Sequence, residues 1–138
     1  MKNKMIVMLL SLICPVLVDA QMLVVAASNS ELASLSESSV RQLYMGNTRS
    51  AGGSAVLLLD MPEGSTSRKS FYRRVADKSE SQLKSYWARM IFTGRGTPPR
   101  QVGSAQEMVS TLKANPGMLG YLEERDLQPG LKVLLRLP

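Results

Sequence analysis

The chain has 138 residues, 17 of them Lys or Arg against 11 Asp or Glu, with one cysteine and no histidine. Lack of histidine removes the usual general base, the Ser-His-Asp triad and the ordinary zinc or copper site. The surplus of six positive charges points to anionic partners. With two Phe and one Trp there is no basic-aromatic platform for nucleic acid.

In chain order, Lys2 and Lys4 precede an apolar run over Met5–Val18, and Val18-Asp19-Ala20 supplies small residues at a cleavage position. Residues 1–20 therefore read as a secretory signal peptide, too short and too soon polar for a membrane anchor. Bulky Leu12 and Ile13 before Cys14 argue against lipidation. Cleavage after Ala20 leaves residues 21–138 as a single domain of net charge +5 without cysteine, so packing and not disulfides must hold it. A periplasmic location follows, with no membrane span after cleavage and no cofactor. The basic surface then suits anionic headgroups, cell-wall polymers or an acidic protein.

Met22–Ala27 is a short apolar run that predicts a buried strand. Ser36 caps a helix through about Met45 with Val40, Leu43 and Tyr44 on one face, and Gly46 stops it. Residues 47–54 read as a flexible connection into a strand at 56–59. The stretch Pro62-Glu63-Gly64-Ser65-Thr66-Ser67 then turns into a helix that buries Phe71, Tyr72 and Val75. Free N–H groups and the positive dipole end at such a helix start suit an oxyanion. Gly64 permits close approach, and Ser65, Thr66 and Ser67 add hydroxyls. The simpler reading is that Ser65 or Ser67 caps the helix.

Ser79 and Gln82 form a capping box for a helix whose Leu83, Tyr86, Trp87, Met90 and Ile91 make an apolar stripe. Residues 93–100 are too rich in Gly and Pro to be regular. Ser104 and Glu107 form a second capping box, before a helix bearing Met108, Val109 and Leu112. Asn115-Pro116-Gly117 ends it, strands follow at 118–122 and 132–137, and Glu123, Glu124 and Asp126 read as a solvated loop between them. Ser81 and Lys84 share the Ser-x-x-Lys spacing of penicillin-binding enzymes, but the companion motifs are missing, and no enzyme is expected. The element order predicts an α/β fold with helices packed on a mixed sheet.

Three segments together resemble the type II periplasmic binding proteins, specifically the phosphate-binding proteins of ABC importers. Leu35–Gly46 is similar to that family's "L-s-x-x-x-l-x-x-I-y-x-G" helix, and Asp60–Phe71 to its strand–"D-G-S-G-T"–helix turn. Asn115–Leu122 is similar to its "x-P-G-a-I-G-Y-v" segment. The resemblance implies one lobe of that fold, the second, with no length left for the first. It implies phosphate or a similar oxyanion as ligand, and a permease or other envelope protein as partner. Gly64, Ser65, Thr66 and Ser67 would hold the ligand. Thr66 replaces a family glycine, and Met61 stands where the family has an arginine. Arg68 and Arg95 are the candidates to replace that arginine. A non-transport interaction or sensory accessory module that has lost ligand binding is the alternative.

Overall fold

The computed structural model describes residues 21–138, and the expected signal peptide lies outside the described residues. β1 (Met22–Ala27) is buried along its whole length, as a strand covered on both faces must be. α1 (Glu37–Tyr44) starts at Ser36, whose Oγ accepts the Ser39 N–H at 3.0 Å. Gly46 follows it at φ 76°, with the Trp87 ring directly against it.

Residues 47–54 are more ordered than their composition suggests. β2 (Ser50–Ala51) and β3 (Ser54–Ala55) form a hairpin around Gly52 and Gly53, both at positive φ. Two consecutive left-handed residues are what a tight hairpin turn demands, and glycine supplies them without strain. β4 (Leu57–Asp60) follows, then α2 (Thr66–Ala76), α3 (Glu80–Phe92), β5 (Arg100–Gln101), α4 (Ala105–Ala114), β6 (Met118–Glu123) and β7 (Leu131–Leu137). The strand expected over 56–59 is thus shifted by one residue and ends on Asp60. The Gly- and Pro-rich stretch is irregular until β5, a two-residue edge strand.

The five-stranded sheet has the order β5-β4-β6-β1-β7. β4 runs parallel to β5 and β6, while β1 is antiparallel to β6 and β7. The mixed α/β architecture matches the expectation. β6 shows how the layers divide. A side chain at Gly120 would collide with Met108 and Leu112 of α4, so this position faces α4. Tyr121 points the other way and stacks on Phe71 of α2, with centroids 3.8 Å apart and planes 5° apart. Tyr44 of α1 meets Phe71 edge-on at 4.8 Å. α4 therefore covers one face, and α1 and α2 cover the other.

Both serine-capped helices after α2 form as expected, with one adjustment. Ser79 and Gln82 make a reciprocal capping box. Ser104 Oγ caps the Glu107 N–H at 3.1 Å, but the Glu107 carboxylate accepts from Gly103 N–H at 2.6 Å. Two expectations are corrected. Ile91 is exposed, because in the last turn of α3 only Met90 reaches the core among the described residues. Glu123 is buried as the last residue of β6 and pairs with Arg125 at 2.7 Å, so only the residues after it form the solvated loop.

Candidate functional site

β4 carries its chain from the sheet interior into the α2 turn, and its last residue is a buried carboxylate. Asp60 is 1% exposed. Its Oδ2 accepts from Tyr72 Oη at 2.7 Å and from Arg68 Nε at 3.3 Å. Its Oδ1 accepts from Tyr121 Oη and from the Met61 N–H at 2.9 Å. A buried carboxylate must be satisfied in this way, because an unpaired one costs several kcal/mol. Burial nevertheless pushes Asp60 above the ordinary carboxylate range, against the opposing hydrogen bonds of Tyr121 and Tyr72 and the Arg68 charge. Burial, reinforced by the Asp60 charge, holds Tyr72 and Tyr121 well above the usual tyrosine range, so both remain donors.

Arg68 is buried as well. Its Nη1 donates to Glu80 Oε2 at 2.8 Å, linking the first turn of α2 to the first turn of α3. Burial alone would lower Arg68, but the charges of Asp60 and Glu80 outweigh it and hold the guanidinium above its ordinary value. Its charge is thus answered inside the protein by two acids.

The expected ligand turn sits on top of this cluster. Gly64 has φ 82° and open space around it, so the turn needs glycine for conformation and leaves room for a visitor. Ser65 is the N-cap of α2, and its Oγ accepts the Arg68 N–H at 3.3 Å. Its own N–H goes to Pro62 O at 3.0 Å, and the Glu63 N–H goes to Gln101 Oε1 at 3.2 Å. Thr66 is exposed and Ser67 half-buried, and among the described residues no group accepts from their backbone N–H groups. Those two amides are the free donors that a helix start offers to an anion.

The other expected residues separate. Met61 is buried, its N–H donating to Asp60 and to Tyr121 Oη, so this position contributes to the core and brings no cation to the turn. Arg95 lies beyond the end of α3, whose first turn is the one that touches Arg68. Thirteen helical residues span about 20 Å, so Arg95 is not beside the turn. Gly64, Ser65, Thr66, Ser67 and Arg68 come together, and Arg95 does not.

Apart from Arg68, the Asp60 cluster lies outside the site residues expected from sequence. Its partners stand 8, 12 and 61 positions along the chain. The available signal was an acid directly after an apolar strand run, with Tyr121 as the hydroxyl-bearing member of an otherwise apolar segment and Tyr72 on the apolar face of α2.

No protein-family model matches this sequence, and no curated protein sequence does. Solved structures do match. An ABC-type phosphate transport receptor of Vibrio cholerae superposes with a TM-score of 0.65 at 15% identity, over 83% of this chain and 46% of that one. A phosphate ABC transporter substrate-binding protein of Clostridium perfringens with bound phosphate gives 0.65 at 13%, over 83% and 45%. PstS of Borrelia burgdorferi gives 0.59 at 14%, over 83% and 47%. The first two are named for phosphate transport, one as a receptor and one as a substrate-binding protein. The chain spans about half the length of these neighbours, and it has the fold of one lobe of a phosphate-transporter substrate-binding protein.

Proposed function

We propose that residues 21–138 act outside the cytoplasm as a single-lobe oxyanion-binding module of phosphate uptake or sensing, with the α2 turn as its contact. The free Thr66 and Ser67 amides at the start of an 11-residue helix carry this reading. Ser67 and Thr66 hydroxyls would add hydrogen bonds, and Gly64 leaves the approach open. One lobe leaves most of the ligand wet, so the site would be shallow and its affinity modest. A partner protein in the envelope, such as a permease component, would supply the opposite wall.

A second reading has one specific observation behind it. Arg68, the cation nearest the turn in the chain, already pairs with Asp60 and Glu80. On that reading Ser65 is only a helix cap, and the lobe serves as an interaction or sensory accessory module.

Melting of residues 21–138 in low-salt, phosphate-free buffer separates the two. Ligand at a hundredfold over its dissociation constant adds about 2.7 kcal/mol, about 10 °C for a domain of this size. A rise with phosphate, absent with chloride at equal ionic strength and abolished by Thr66→Pro, supports the oxyanion site. Proline at this first helical position keeps the helix start and removes one amide donor. No shift at millimolar phosphate supports the accessory reading.

A further inference from the structure

The far end of α3 has a chemistry that neither the fold nor the α2 turn explains. Phe92 is 91% exposed and Ile91 56% exposed, on the last turn of a helix whose Leu83 and Trp87 are buried. Leu57, the other large exposed apolar side chain among the described residues, is 66% exposed at the start of β4. A short series of contacts connects Leu57 to Phe92. Leu57 and Gly96 line the same cleft of about 540 Å³ with Pro98 and Pro99. Gly96 in turn lies against the Met90 methyl, and Met90 borders Phe92 and Arg95.

The charge of the segment that carries Ile91 and Phe92 has a single sign. From Ser81 to Gln106 there is no Asp or Glu, while Lys84, Arg89, Arg95 and Arg100 all fall in the segment. None of the four makes an ion pair among the described residues. Elsewhere the protein spends arginines on internal work, as with Arg68 on Asp60 and Arg41 on the Val75 carbonyl. Exposed aromatic and aliphatic side chains set among unpaired cations are the composition of a surface that rests on anionic lipid. A face meant for a second copy of this chain would bring these cations against one another.

We propose that the α3 end and the loop after it form a docking face for an anionic phospholipid surface. Phe92 and Ile91 enter the headgroup–acyl boundary, and Arg89 and Arg95 lie at the phosphate level. The α2 turn, about 20 Å away at the other end of α3, would stay open to solution. The proposal therefore stands whether or not that turn binds an oxyanion.

The described residues carry their own five-stranded sheet and a core of buried apolar side chains running from Met22 to Leu137, so residues 21–138 serve for the test. The probe is co-sedimentation with vesicles of phosphatidylcholine and phosphatidylglycerol at 3:1, against pure phosphatidylcholine. Binding is expected to be at least tenfold stronger to the anionic vesicles and to weaken with salt. Each arginine near the surface should contribute about fivefold, so Arg89→Gln with Arg95→Gln lowers binding more than tenfold. Phe92→Ser lowers it at every salt concentration. The variants should melt with the wild type, since these side chains are exposed. Three results would each overturn the proposal: no sedimentation with anionic vesicles, equal sedimentation of Phe92→Ser, or a dimer without lipid binding that Phe92→Ser dissolves.

Discussion

The two ends of α3 treat charge in opposite ways. At the first turn, Glu80 holds Arg68, Arg68 holds Asp60, and Asp60 draws in Tyr72 and Tyr121. Five polar side chains from β4, α2, α3 and β6 are thus tied into one network next to the core. At the other end, Arg89 and, just past the helix, Arg95 have no acidic partner among the described residues and flank exposed Ile91 and Phe92 in the chain. Polar groups at the first end specify how helix and strand join. Those at the other end are free to meet something outside. An arginine's presence in the sequence therefore says little about ligand binding until its acid partners are known.

Breaking the closed end has the largest expected effect. Asp60→Ala leaves two buried tyrosine hydroxyls without their acceptor, and Arg68 with only Glu80. Removing one member of a buried charged network costs about 3–5 kcal/mol. Glu80 survives as a partner, so a value near the lower limit is expected, read as a shift of the urea midpoint at unchanged slope. A loss under about 1 kcal/mol would mean that the network contributes specificity of packing and little stability.

The same carboxylate predicts a pH effect of known sign. Asp60 is raised above its ordinary value, so the folded state holds that proton more tightly than the unfolded chain does. Its contribution is fully present below the unfolded value of 3.8 and is lost as pH rises through the higher folded value. The remaining carboxylates titrate in wild type and in Asp60→Asn alike. The stability of wild type minus that of Asp60→Asn should accordingly fall as pH rises from 3 toward neutrality. A difference that rises instead would mean that hydrogen bonds and Arg68 outweigh burial.

Much of this fold was legible because its signals are local. The apolar run at Met22–Ala27, the Ser36, Ser65 and Ser79 caps, and Gly46 after α1 each depend on neighbours within a few residues. What escaped depends on distant partners or on sparse side chains. The β2–β3 hairpin has Ser and Ala flanking its glycines, so no alternation of apolar and polar residues announces it. Ile91 satisfies the helical period with Trp87, yet burial depends on an opposing surface, and among the described residues none covers Ile91. Of the candidate ligand residues, the four from Gly64 to Ser67 are consecutive and necessarily meet. Whether Arg68 is free, and where Arg95 lies, depends on how α2 and α3 pack.

A smaller effect tests how much of the α2 turn is structural. Ser65→Ala removes the acceptor of the Arg68 N–H, and losing a serine N-cap typically costs about 1 kcal/mol. The Arg68 side chain keeps Asp60 and Glu80, so the network at the closed end should hold. If the loss reaches about 3 kcal/mol, the cap and the network are one unit, and the turn's hydroxyl is committed to the fold.

The smallest effect belongs to the open end. The chain's two phenylalanines make the contrast plain, since Phe71 is fully buried between Tyr44 and Tyr121 while Phe92 is 91% exposed. Surface substitutions away from caps, networks and cores usually fall within about 0.5 kcal/mol, and Phe92→Ala should do so. The change even takes an apolar ring out of water, so a slight gain in solubility is the expected companion. Thermal melts of wild type and Phe92→Ala at equal concentration should overlay. A loss of 2 kcal/mol or more would mean that Phe92 is covered in solution, by its own chain or by a second copy, and would close the face on which lipid docking rests. Overlaid melts with lost vesicle binding would place its contribution wholly in the encounter with the membrane, the division of labour that α3 displays from one end to the other.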